Sequence, residues 1–285
     1  MSSTLLIARL TIREAARRKL VAVFVAITLG LVGLSAWGFY RLSHTHSITS
    51  GEVGAALPEA LILFMFMFSF VVALSASAIA SPAVSNEVES GVLQTVAARP
   101  IRRSQILGGK WLGLAGLVAG YSIAVAACEM AVVDWVSGFL PPDPVAVALY
   151  LFAEGAVLLT LVLLISTRLS TLATGVVGVA LFGAAWLAGV VGALGTSFHI
   201  GALSTVGQVG RYVLPTDGLW HGAIYYLEPS WFIAQRTAEG AAGPGVSANP
   251  FFALGPPSWP YLLWAGVWFL IVLGLGIYSF ERREL

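Results

Sequence analysis

The sequence predicts an all-helical, polytopic membrane protein with six transmembrane helices. Only 10% of its 285 residues are charged, against about 25% in a typical soluble domain, and 58% are hydrophobic. Six apolar stretches are each about 20 residues long, which is the length that a helix needs to cross the hydrocarbon core of a bilayer. The formal net charge of +1 gives no electrostatic basis for binding nucleic acid.

Residues 1–19 precede the first apolar stretch and predict a helix at the membrane surface. Small and apolar residues share one face of this helix, and a basic stripe lies beside it, formed by Arg9, Arg13 and Arg17. One interpretation is an interfacial helix whose basic face meets anionic headgroups or a cytoplasmic partner. The other is a charged segment that only orients the first span, and the two interpretations are compatible.

The six spans follow from the positions of the apolar stretches. We expect them at about residues 20–40, 60–81, 111–133, 145–167, 172–195 and 261–280. An even number of spans places both termini on one side of the membrane. That side carries twelve of the fifteen Lys and Arg residues, and only Arg41, Arg211 and Arg236 fall on the other. Since cytoplasmic loops are enriched in Lys and Arg, both termini are predicted to be cytoplasmic.

The segment 196–260 is predicted to be a long external loop. Within it, residues 219–235 are rich in Trp and Tyr, which favour the headgroup region, and they suggest a helix lying in the interface. Residues 240–258 are rich in Gly, Pro and Ala and indicate irregular loop. Such a segment either gates the external side or simply lies on the membrane surface.

The segment 82–110 is the strongly charged, helix-like part of the chain between the second and third spans. Glu87 and Glu89 lie in its first turn, where the helix dipole favours negative charge. Pro100 ends the helix, because the residue before a proline is disfavoured in helical geometry. Its apolar positions recur every four residues, at Val88, Val92 and Val96. A short amphipathic helix of this kind either lies on lipid or presents a surface to a partner.

This segment resembles the loop between the second and third spans of ABC-2-type transporter permeases. The residues that carry the resemblance are Glu87, Gly91, Leu93, Pro100, Arg103 and Lys110. The resemblance implies that residues 86–99 form a coupling helix that docks in a groove of a separate ATPase subunit. The residues expected at that interface are Asn86, Glu87, Glu89, Gly91, Leu93, Pro100, Arg102 and Arg103.

The resemblance also implies the partners of the chain. They are two copies of an ABC ATPase, a second permease subunit that is identical or related, and membrane lipid. The expected function is that of a permease, with export as the expected direction, in a bacterial or archaeal cytoplasmic (inner) membrane. ATP and Mg²⁺ are expected on the ATPase. No cofactor is expected on this chain, because Gly108-Gly109-Lys110 is followed by Trp111 and does not complete a phosphate-binding loop.

Glu154 is the acidic residue predicted deepest in the membrane, about ten residues into the fourth span. A charge at that depth is costly, so the side chain is expected to face the protein interior or a wet cavity. It is either a substrate contact or latch, or a protonated carboxyl bonded to a neighbouring helix. An alternative function is a membrane-embedded enzyme or an ABC-linked assembly module in which Glu154 is the key polar residue. No metal site is expected.

Overall fold

The computed structural model describes residues 3–44, 50–90, 102–240 and 249–283. Within these ranges the chain forms helices and no strands. The helices are α1 (Ser3–Ala16), α2 (Lys19–Ser43), α3 (Ser50–Ala80), α4 (Ser85–Glu89), α5 (Arg103–Ser137), α6 (Pro144–Ser166), α7 (Thr171–Ser197), α8 (Gly201–Val213), α9 (Thr216–Leu227), α10 (Ser230–Gly240) and α11 (Trp259–Glu281). Six of them, α2, α3, α5, α6, α7 and α11, are long and apolar enough to cross a membrane. The prediction of an all-helical chain with six transmembrane helices is confirmed.

The helices α3 and α6 form the centre of the bundle. They are the most deeply buried spans, whereas α2, α7 and α11 are the least buried and expose apolar faces. One hydrophobic core lies at the end of the bundle that carries α1 and α4, which we call the α1 end, and includes Val72, Leu107 and Leu158. A second core lies towards the opposite, far end and includes Phe68 and Met130.

The third span is longer than its apolar stretch. Helix α5 begins at Arg103, so residues 103–110, expected in the loop, form its first two turns. The helix ends at Gly138, which adopts a left-handed conformation with φ of 68°. Glycine occupies such a position without the steric penalty that other residues incur.

The segment 196–260 is mostly helical where it is described. Helix α8 turns back along α7, and the close approach of Gly192 to Gly207 allows their backbones to touch, because a Cβ on either glycine would collide with the other. Gly189, which packs against the start of α9, lies eight residues before the end of α7. At 1.5 Å per residue this is about 12 Å below the far end of the bundle. The helices α8 and α9 therefore reach down between the spans.

The helix expected over residues 219–235 is two helices, α9 and α10. The break falls at Glu228 and Pro229, because a proline has no N–H to donate and disfavours helical geometry in the residue before it. Helix α9 packs on α6, where Gly222 makes room for the ring of Tyr150.

Candidate functional site

Of residues 86–99, which the sequence predicts to be a coupling helix, the structure describes the part that lies in the short helix α4, which follows α3 at the α1 end. Ala83, Val84 and Ser85 are buried where the chain turns from α3 into α4. Asn86 and Glu89 are exposed on α4. Three residues expected at the ATPase interface, Gly91, Leu93 and Pro100, lie outside the described residues.

Lys110 joins α4 to the third span. Its Nζ donates to Glu87 Oε1 at 2.5 Å and to the carbonyl oxygen of Ala83 at 2.5 Å, and only 6% of the residue is exposed. A buried ammonium group is tolerated only when its donors are paired. Both pairs are made with the α3–α4 connection, so they fix its position against α5.

Glu89 joins α4 to the fifth span. Its Oε1 accepts from the backbone N–H of Thr171 at 3.1 Å, and Ser85 Oγ lies 2.9 Å from Thr171 Oγ1. Thr171 is the first residue of α7, where backbone N–H groups have no partner within the helix and the helix dipole favours an anion. Glu89 thus caps α7.

Arg103 joins the third span to the sixth. Its Nη1 donates to the carbonyl oxygens of Phe280 and Glu281, the last two residues of α11, at 3.3 and 3.1 Å, and to that of Arg283, just beyond the helix, at 2.7 Å. A cation at a helix C-terminus satisfies carbonyls that lack partners in the helix. Arg102, by contrast, is exposed just before α5.

A second set of contacts links the fourth-to-fifth span connection to α11. Arg168 Nε donates to Ser279 Oγ at 2.8 Å, and Arg283 donates to the carbonyl oxygen of Thr167. Helix α4 and the ends of four spans are therefore one bonded network at the α1 end.

Helix α1 packs on α5 through two glycines. A Cβ on Gly109 would lie 2.7 Å from the carbonyl oxygen of Thr4, and one on Gly113 would lie 2.6 Å from that of Ala8. Ala8 and Ala15 are buried in this contact. The arginines predicted to form a basic stripe are exposed, Arg9 and Arg13 on other faces of α1 and Arg17 just after its last residue.

Two carboxyl groups on the described spans lie inside the helix bundle. Glu154 on α6 is 3% exposed, and its Oε2 accepts from Ser69 Oγ on α3 at 2.8 Å. Glu129 on α5 is fully buried and accepts from Ser35 Oγ on α2. Each carboxyl thus links two spans. Glu129 was given no role from sequence, although the same burial argument applies to it, since it lies eight residues before the end of α5.

The family of the chain follows from comparison with known proteins. The family model described as ABC-2 family transporter protein matches residues 5–285. The chain belongs to the ABC-2 transporter family. It is the multi-pass membrane permease of an ABC transporter, a family whose members associate with an ABC ATPase and do not themselves catalyse its reaction. No individual curated protein matches the chain.

At the far end, this ABC-2 permease buries a carboxyl group that sequence reasoning did not single out. Glu228, at the end of α9, is 2% exposed, and within the described part of the chain neither of its carboxylate oxygens has a hydrogen-bond partner. Burial raises the pKa of Glu228 from 4.5 to about 8, and the nearby backbone of Ala253 opposes this only in part. The carboxyl group therefore holds its proton to a higher pH in the folded protein than in the unfolded chain.

Glu228→Gln is expected to remove a pH dependence of stability. Between pH 4.5 and 8 the folded state holds a proton that the unfolded state has lost, so the stability of the wild type falls as the pH rises through this window. Glutamine mimics the protonated carboxyl, so the Tm of the variant should be close to that of the wild type near pH 4.5 and exceed it by about 10 °C at pH 9. Thermal unfolding of the purified permease measures both. Asp134→Asn, at an exposed carboxyl at the same end, is the control, and equal Tm profiles for Glu228→Gln and the wild type would contradict the account.

Proposed function

We propose that this permease is driven by an ABC ATPase, present in two copies in the transporter, that docks on residues 86–99, and that it exports its substrate across the cytoplasmic membrane of a bacterium or archaeon. ATP and Mg²⁺ bind on the ATPase. A second permease, identical or related, completes the transporter, and the substrate passes between the two permeases.

The observation that carries this proposal is the way α4 is tied to the spans. Glu87 is bonded to Lys110 of α5, and Glu89 to the first residue of α7. Asn86, between them, has its side chain exposed. When a partner binds the exposed face of α4 and displaces this helix, these two contacts carry the displacement to the third and fifth spans.

The burial of the spans supports the same mechanism. Since α3 and α6 form the buried centre, they resist displacement, whereas α7 is held less tightly. A small movement of α4 is transmitted as a rigid-body shift of packed helices. The exposed apolar faces of α2 and α7 are suitable for lipid or for the second permease.

The charge distribution supports a cytoplasmic α1 end. The network at this end is rich in Lys and Arg, through Arg103, Lys110, Arg168 and Arg283, and the exposed arginines of α1 add to it. By the positive-inside rule this end faces the cytoplasm, which is where an ATPase has access to ATP.

Co-purification of an ABC ATPase with the permease tests the proposal. Wild-type permease extracted from its native membranes is expected to retain an ABC ATPase, identified by mass spectrometry at equal molar amount. Asn86→Trp places a bulky side chain on the exposed face of α4 and is expected to reduce retention at least tenfold. Asp134→Trp makes the same change at an exposed position of the far end and should have no effect. Full retention by Asn86→Trp would show that the ATPase does not dock on α4.

A further inference from the structure

A cleft of about 650 Å³ opens at the far end of the molecule, away from the coupling network. It lies between α7, α8, α9, the start of α11 and residues 249–257. Its walls are of two kinds. The helices α7, α8 and α9 contribute polar side chains, including Thr196, Gln208, Arg211 and His221, and residues 252–257 contribute apolar ones, including Phe252, Leu254, Pro256 and Pro257.

Arg211 carries the formal positive charge of the cleft, and a buried carboxylate holds it in place. Its Nε donates to Asp217 Oδ2 at 2.8 Å; the side chain of Arg211 is 41% exposed, whereas that of Asp217 is 2% exposed. Asp217 fits there because residue 189 is glycine, since a Cβ on Gly189 would collide with the Asp217 carboxylate. A ligand in the cleft therefore meets the guanidinium and not the carboxylate.

The guanidinium retains hydrogen-bond donors for a ligand. Of its five N–H groups, one is used by Asp217, and one points towards His221 Nε2 at 3.4 Å. His221 Nδ1 lies 2.8 Å from the carbonyl oxygen of Asp217, and burial lowers the pKa of His221, so the ring adds no charge. Because Asp217 balances the charge of Arg211, an anion is held by oriented N–H groups rather than by net charge.

The part of the lining formed by residues 252–257 is suited to hydrocarbon. Phe252 is 8% exposed, while Leu254 is 64% exposed and lies at the rim of the cleft. Pro256 and Pro257 follow, and the pyrrolidine ring fixes φ at each of them, which restricts the backbone of this part of the lining. Ligand sites commonly combine such an apolar wall with a few converging polar groups.

We propose that this cleft binds an amphipathic anion, with its phosphate or carboxylate head on Arg211 and its hydrocarbon part against Phe252, Leu254 and the two prolines. The site is separate from the coupling segment, and its occupancy does not depend on the ATPase. A lipid headgroup and a soluble amphiphile present the same chemistry to it.

Equilibrium binding of hexyl phosphate to the permease in nanodiscs of zwitterionic lipid tests the site. The wild type is expected to bind hexyl phosphate saturably with a stoichiometry of one per chain. Arg211→Gln removes the charged donors and should raise the Kd at least about tenfold. Thr196→Trp fills the cleft without touching the ion pair and should also weaken binding. Arg41→Gln, at an arginine near the same end of α2, is the matched control and should leave the Kd unchanged.

Two further probes define the ligand class and its source. Inorganic phosphate and hexanol should each bind at least tenfold more weakly than hexyl phosphate, because each lacks one half of the ligand. If anionic lipid added to the nanodisc displaces hexyl phosphate, the site takes a lipid headgroup, and if it does not, the site takes a soluble amphiphile. The proposal is overturned if binding is not saturable, if neither Arg211→Gln nor Thr196→Trp weakens it, or if inorganic phosphate binds equally well.

Discussion

Lys110→Met is expected to reduce the permease-stimulated ATP hydrolysis of the transporter by about tenfold. The substitution keeps the length of the side chain but removes the ammonium group that bonds Glu87 and the Ala83 carbonyl oxygen. Leaving such groups without a partner costs about 1–3 kcal/mol. If the free energy that holds α4 in its position falls by about 1.4 kcal/mol, the equilibrium constant for that position falls by a factor of ten. The measurement is the ATPase rate of the complex in proteoliposomes.

The other lysine of the chain provides the control. Lys19 is exposed at the start of α2, and Lys19→Met should leave the rate unchanged. The double variant Glu87→Gln/Lys110→Met removes the charge left on Glu87 and should recover part of the rate, because the two side chains act on each other. Wild-type hydrolysis by Lys110→Met would show that the Lys110 contacts do not transmit the movement of the ATPase.

Gly113→Val is expected to separate α1 from α5 and to lower the Tm by about 5 °C or more. At residue 113 a Cβ would lie 2.6 Å from the backbone oxygen of Ala8, and backbone cannot move aside as a flexible side chain can. Overpacking of this kind costs about 1–3 kcal/mol or more, and in a protein of this size each kcal/mol corresponds to roughly 2–4 °C. Thermal unfolding of the purified permease, followed by circular dichroism, measures the change.

Gly116→Val is the matched control for this prediction. It makes the same substitution one turn further along α5, where a Cβ would meet nothing within 4 Å among the described residues. Both variants carry the same helix-propensity cost, so their difference isolates the contact with α1. Equal Tm values for the two variants would mean that α1 is not held by the glycine contact.

The glycines of the third span illustrate what sequence can predict. Their spacing indicates close helix packing, and Gly116 and Gly120, four residues apart, carry that signal in the apolar part of the span. The structure uses an equivalent pair about two turns earlier, Gly109 and Gly113, for packing α1. Spacing identifies a surface on which a helix can dock, but which turn is used depends on where the other helix lies.

Hydropathy was sufficient to predict the six spans, because each needs about 20 apolar residues in succession. It was insufficient for residues 196–260. Helices α8 and α9 are too short and too polar to be recognised as spans, and their position depends on contacts such as Gly192 with Gly207. Those contacts join residues that are far apart in sequence.

The candidate site was only partly predictable for the same reason. Acidic residues at the start of a short helix indicated α4, but the partners of Glu87 and Glu89 belong to other spans. Lys110 was expected in the loop between the second and third spans. It is buried because its ammonium group donates to the carbonyl oxygen of Ala83, 27 residues earlier in the chain. The ion pair of Arg211 with Asp217 is formed only when α8 and α9 meet at α7.

Site-specific photo-cross-linking tests the central claim most directly. The chain has a single cysteine, Cys128, so Cys128→Ala provides a background for Asn86→Cys, which is then labelled with a benzophenone maleimide. We predict that irradiation of the assembled transporter links position 86 to the ABC ATPase, and that the same label on Asp134→Cys at the far end forms no such link. Cross-linking to the ATPase from position 134, or its absence from position 86 in an intact complex, would contradict the docking of the ATPase on α4.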